Sequence, residues 1–204
     1  MLRRLLRLLP KQTISGYEHP ELVETVFRKT VAYAPTEKLT DVGVARTVLD
    51  FGGGCGIHYK EAFSDARWAV VETPAMAAKA SELATDKLSF FTDIRAAADW
   101  LGSVDMMHSN GALLYAPDPR AVLRELVALR AGTMLWKRLT LFDREGTVMQ
   151  TSNLVDNGPG RIKAKNKLVQ YQMTHMSEAE FMAAHVGYRL VDQGTNAYRF
   201  QLQP

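Results

Sequence analysis

The chain has 204 residues, of which 47% are hydrophobic and 23% charged, with a net charge of +3. That length can bury one proper core, and the composition is that of a soluble globular protein, which excludes fibrous, disordered and membrane-spanning classes. One cysteine, Cys55, excludes an internal disulfide framework and suits a reducing, cytoplasmic setting.

The first residues, MLRRLLRLLPKQ, place Leu2, Leu5, Leu6 and Leu9 on one helical face, with three arginines mostly off it. The apolar stretch is too short to span a bilayer and lacks the uninterrupted run and cleavage site of a secretory signal. Two readings stay open for residues 1–10: a basic helix lying on an anionic membrane surface, or one packing its leucines on the domain or a partner. A second basic run, Arg161 to Lys167, has no interleaved aromatics. It reads as solvated surface, and no nucleic-acid partner is expected.

The spacing of apolar residues then predicts a helix from Pro20, so that residues 1–44 form an N-terminal helical segment capping a domain of residues 45–204. ARTVLDF is a short buried strand and residues 57–64 a helix. RWAVVE is a strand and the run from Pro74 a helix. KLSFF and IRAAADWL repeat the pair. SVDMMHS is a strand, and the helix from Pro119 has Asp118 as its N-cap. GTMLWKRLTL is a strand, residues 143–173 read as irregular, and SEAEFMAAH is a helix with the capping-box pair Ser177 and Glu180. YRLVDQ and NAYRFQLQ close the chain as two strands. Five strand-then-helix steps predict an α/β fold with a mainly parallel sheet covered on both faces, and ligands in such sheets bind beyond the carboxyl ends of the strands.

The glycine loop VLDFGGGCGIHY follows the first of these strands. It fails the G-x-G-x-x-G dinucleotide register, since position six falls on Ile57 or Tyr59. It also lacks the Gly-Lys-Ser/Thr of a phosphate loop. What fits is acidic-x-Gly-x-Gly-x-Gly, as Asp50, Gly52, Gly54 and Gly56. That pattern resembles the first motif of the class I S-adenosylmethionine-dependent methyltransferases. The second strand ends at Glu72 and the third in FTDI, with Asp93 and Ile94, and the element order from residue 45 onward is similar to that family throughout. SGYEHPELVETVFRKT, HSNGALLYAPDP and DNGPG add a likeness to a bacterial group of methyltransferase-like proteins often found near surface-polysaccharide genes.

The resemblance implies a Rossmann-like seven-stranded sheet whose last strand is antiparallel. It implies S-adenosylmethionine as cofactor and methyl transfer to a small-molecule or sugar-linked acceptor. It places the cofactor on Asp50, Gly52, Gly54, Gly56, Glu72, Asp93 and Ile94. Asp50 would orient the loop and the cofactor's ammonium, and Glu72 would take the ribose hydroxyls. Asp93 is equally readable as a helix N-cap. The catalytic candidates are His108, Asn110 and His175; His58 is a further candidate base that can line the methionine end, and His185 reads as structural. Tyr115 falls on the acceptor side, Lys137 or Arg138 could meet an anionic acceptor such as a nucleotide sugar or a phosphate-bearing lipid intermediate, Ser15–Gly16–Tyr17 could fold over the cofactor, and Asp156 to Gly160 could shape acceptor choice. Cys55 reads as a filler of the loop. No histidine pair has zinc-motif spacing, so no metal is expected. The competing readings are a cofactor-binding protein that transfers nothing or serves as a partner subunit, and a nicotinamide-dependent oxidoreductase, which the failed dinucleotide register disfavours.

Overall fold

A computed structural model describes residues 12–162 and 167–204. The strands are β1 (Thr13–Ser15), β2 (Thr47–Phe51), β3 (Arg67–Val71), β4 (Leu88–Phe91), β5 (Met106–Asn110), β6 (Thr133–Lys137), β7 (Thr147–Asn153), β8 (Leu168–Thr174), β9 (Tyr188–Gly194) and β10 (Ala197–Leu202). The α-helices are α1 (Pro20–Ala32), α2 (Ile57–Ala62), α3 (Pro74–Ala80), α4 (Ile94–Leu101), α5 (Pro119–Ala128) and α6 (Glu178–Ala184).

Seven strands form one sheet in the order β4-β3-β2-β5-β6-β10-β9. The first five are parallel, and β10 runs antiparallel to both β6 and β9. Their buried residues are apolar on both faces, as a sheet covered by helices requires. Leu49, Ala69, Val71 and Met107 pack with α4, α5 and α6 through Ile94, Leu101, Leu123, Leu126 and Phe181. The alternate residues Val48, Trp68, Val70 and Met106 pack on the other face with Ala62 of α2 and with Val42. Helix α1 sends Val23 into a cluster with Cys55, Met76 and Ala80, joining the N-terminal segment to the glycine loop and α3.

The segment expected to be irregular contains two strands. β7 and β8 pair antiparallel, and β1 adds to β8 in parallel register, Thr13 opposite Leu168. Thr13 to Ser15 are therefore fixed in a second, three-stranded sheet, and the Gly16 amide donates to the Gln170 carbonyl just beyond it. Local caps follow the sequence elsewhere. Asp118 accepts from the Arg120 and Ala121 amides, and Ser177 from Glu180. The Glu180 side chain leaves the capping box to pair with Arg120 on α5, which pins α6 to its neighbour. The basic amphipathic stretch of residues 1–10 lies outside the described residues.

Candidate functional site

Strand order reverses between β2 and β5, and a cleft of about 610 Å³ opens there at the carboxyl ends of the strands. That volume suits a ligand of cofactor size. Gly52, Gly53 and Gly54 form one wall, Glu72 a second, Asn110 and Gly111 a third, and Tyr17, Tyr171 and the Asn157–Pro159 turn the roof. Gly52 is needed for space: a Cβ there would lie 2.1 Å from that of Ala112, and its φ is +74°. Gly56 does not line the cleft. Its missing Cβ faces Leu88 and Phe90, so it serves packing against the sheet.

Glu72 sits where the sequence placed it. Its Oε1 accepts from the Gly54 amide at 2.8 Å and its Oε2 from Thr73 at 2.9 Å. The carboxylate thus locks the loop and still has lone pairs for the cleft. Burial raises its pKa, against the pull of those two amides.

Asp50 lies directly under the glycine loop rather than in the cleft: a Cβ added at Gly53 would come 2.3 Å from its Oδ2. It is fully buried and never reaches the cleft. Its Oδ2 takes His58 Nδ1 at 2.8 Å and the Trp68 indole N–H at 3.2 Å, while Oδ1 takes His108 Nδ1 at 2.8 Å. Period-two alternation explains the arrangement: sheet register sets Asp50 directly beside His108, and Trp68 lies on the same face. Burial opposes the charge on Asp50, but the two histidines hold its carboxyl well below the usual carboxylate range. Burial likewise opposes charge on His58, yet the Asp50 carboxylate outweighs it and raises the pKa. In His108 burial wins and the pKa falls. The trio therefore favours an ionised Asp50 and a neutral His108, with His58 holding a proton more readily than a free imidazole. Asp50, His58 and His108 are also the one group of three metal-type ligands among the described residues, their ligand atoms within 4.8 Å of one another. Each Nδ1 points at a carboxylate oxygen at hydrogen-bond distance, so the trio is knit as a proton network.

The catalytic candidates separate. Asn110 lines the cleft, its Nδ2 lies 3.2 Å from His58 Nε2, and its buried Oδ1 has no hydrogen-bond partner among the described residues. His108 is fully buried beside Asp50 and does not line the cleft. His175 is buried too, stacked 3.9 Å behind the Phe142 ring. His58 is the histidine that both lines the cleft and carries a carboxylate behind it. His185 is structural as expected, accepting from the Trp136 indole and bonded to the Phe181 carbonyl. Asp93 and Ile94 fall outside the cleft. Asp93 caps α4 by accepting from Ala96, and Ile94 joins the core on the opposite face. Cys55 is a filler: burial, then the nearby Glu72, pushes its thiol up to about 12.

Sequence reading missed Tyr171 and Gln150, which arrive on β8 and β7. Tyr171 stacks on Tyr17 with ring centroids 4.9 Å apart, and Tyr115 meets both edge-on. Gln150 accepts from the Tyr115 hydroxyl at 2.9 Å. The polar-apolar alternation of TVMQTSN and LVQYQMT carried the signal for these strands.

Solved structures share this architecture. The sugar N-methyltransferase KedS8 from Streptoalloteichus sp ATCC 53650 aligns with a TM-score of 0.54 at 17% identity, covering 100% of this chain and 93% of that one. An O-methyltransferase family protein from Burkholderia thailandensis gives 0.52 at 16% identity, over 89% of this chain and 55% of that. Human N-acetylserotonin methyltransferase, solved with S-adenosylmethionine, gives 0.51 at 15%, over 92% and 58%. The chain thus spans little more than half the length of the last two. No protein-family model matches the sequence, and no curated protein sequence matches it significantly. At these identities the likeness is one of fold: the chain has the Rossmann-like fold of the class I methyltransferases.

Proposed function

We propose that this chain binds S-adenosylmethionine in the cleft and transfers its methyl group to a small-molecule or saccharide-type acceptor. The observation that carries the reading is Glu72 clamped to Gly54 at the end of β3, across the cleft from Asn110 at the end of β5. A carboxylate with spare lone pairs suits two adjacent ribose hydroxyls. The amino-acid end of the cofactor brings one carboxylate and one ammonium. The cleft offers His58, backed by the Asp50 carboxylate, and the neighbouring Asn110 amide for that end. When bound, the cofactor supplies an electrophilic methyl group on a sulfonium. The chain's own task is then to hold the acceptor in line and to exclude water. The Tyr17–Tyr171 roof suits the second task.

Among the described residues, His108, His175 and His185 line neither the cleft nor the hollow beside it. That favours an acceptor that arrives nucleophilic, such as an amine. The same observation favours a second reading, a cofactor-binding protein that transfers nothing itself. Calorimetry with S-adenosylmethionine, S-adenosylhomocysteine and NAD tests the core of the proposal: both sulfur compounds bind, and binding of NAD alone would sink it. A cytoplasmic location goes with the cofactor. No described helix is long and apolar enough to cross a membrane. Residues 1–10 would bring the protein to an anionic membrane face, which liposome pelleting with and without them checks; equal pelleting ends that idea.

A further inference from the structure

A second, smaller hollow of about 200 Å³ adjoins the cleft. The two share Gly111, Tyr115 and Arg138, so those three residues form the partition between them. The floor of the hollow is apolar, with Leu114, Phe142 and Met173, while Gln150 and Arg138 supply polar edges.

Arg138 is the unusual member. It follows the last residue of β6 with φ at +49°, a left-handed conformation that is uncommon away from glycine and strained for a long side chain. Its side chain runs across Gly111, where an added Cβ would lie 3.5 Å from Arg138 Cβ and 3.8 Å from Nε. The guanidinium is close enough to Tyr17 and Tyr115 for its charge to act on both phenols. Among the described residues it forms no ion pair. The neighbouring cations are taken: Lys137 and Arg199 both pair with Asp41. A strained backbone thus holds an unneutralised cation at the junction of the two hollows, and guanidinium is the side chain best matched to a planar oxyanion.

Resting on the methyltransferase reading, we infer that the smaller hollow is the acceptor chamber. Its ligand is a compact ring bearing one anionic oxyacid group, a carboxylate or a phosphate, which Arg138 holds. The volume suits one ring with its substituents. The apolar floor takes the ring's face, and the oxyanion at Arg138 orients the ring so that a substituent faces the cleft past Tyr115.

Ligand-observed NMR titration tests this with D-glucuronate, glucose 1-phosphate, inorganic phosphate and neutral D-glucose as probes. Each is run with and without S-adenosylhomocysteine, so the outcome does not depend on the cofactor. The expected result is that glucuronate or glucose 1-phosphate binds at least tenfold more tightly than glucose, which separates carboxylate from phosphate. Inorganic phosphate alone binds more weakly than the phosphorylated ring. Arg138→Ala removes the preference, and Arg138→Lys keeps part of it, with folding checked by circular dichroism. Equal binding of all four probes, or an anion preference that survives in folded Arg138→Ala, overturns the inference. Failure of S-adenosylhomocysteine to bind the unaltered protein strikes the cofactor reading instead, and the anion preference is then decided by the titrations run without it.

Discussion

Replacing Glu72 with alanine is the sharpest probe of the cofactor site. The carboxylate spends one oxygen on Gly54 and one on Thr73, so two functions leave with it. The first is the acceptor for two ribose hydroxyls. Hydrogen bonds to a charged group contribute about 1.5–3 kcal/mol, and a combined loss of about 2–3 kcal/mol weakens binding roughly 30- to 150-fold. The second is the loop clamp, which leaves Gly54 without its acceptor. Glu72→Gln separates them, because its carbonyl oxygen can still take the Gly54 amide while the charge is gone. Calorimetric titration with S-adenosylhomocysteine is expected to rank wild type, Gln and Ala in falling affinity, with the Ala protein still folded by circular dichroism. An Ala variant that binds within threefold of wild type would refute the placement of the ribose at Glu72.

Three further outcomes follow from the same geometry. Gly54 has φ at +59° and donates to Glu72, so Gly54→Val strains the loop and moves that anchor; S-adenosylhomocysteine affinity should drop at least tenfold by calorimetry. His58 has a raised pKa, so its imidazolium is present below that value and lost above it. Cofactor affinity should therefore decline as pH rises through the titration of His58, and His58→Gln should flatten the profile; an unchanged slope would remove His58 from the cofactor's carboxylate. His185 is buried and neutral, its pKa lowered by burial from 6.5 to about 4. The unfolded chain takes up that proton first, so stability falls as pH drops from about 6.5 to about 4, by roughly 3 kcal/mol for about 2.5 pH units. Urea denaturation across that range measures it, and His185→Gln should lose that component.

The alternation of the seven-stranded sheet with its helices was legible because each element carries its own period and its own caps. Glu72 was legible for the same reason: it is the first polar residue after a buried strand, and such a position points to the ligand edge. The pairing of Asp50 with His108 is not legible from either strand alone. Only the register between β2 and β5 shows that they face each other inside the protein. Asp93 went the other way, its N-cap role being legible from local sequence. β7 and β8 escaped because their residues are largely polar and half exposed, and the partner of β8 lies near the opposite end of the chain. With them went Tyr171 and Gln150, whose placement depends on a sheet completed by β1 from the other end of the chain.

The pairing of Thr13 with Leu168 joins positions 155 residues apart. During synthesis, at about 5–20 residues per second, the earlier strand waits roughly 8–30 s before its partner exists. Most of the large parallel sheet is already available by then, whereas the strand carrying Tyr17's neighbours has nothing to pair with. The cleft is therefore born open and acquires its roof late. A nascent chain stalled before Leu168 would present the glycine loop and Glu72 uncovered, and whatever occupies the cleft can enter before the roof is laid.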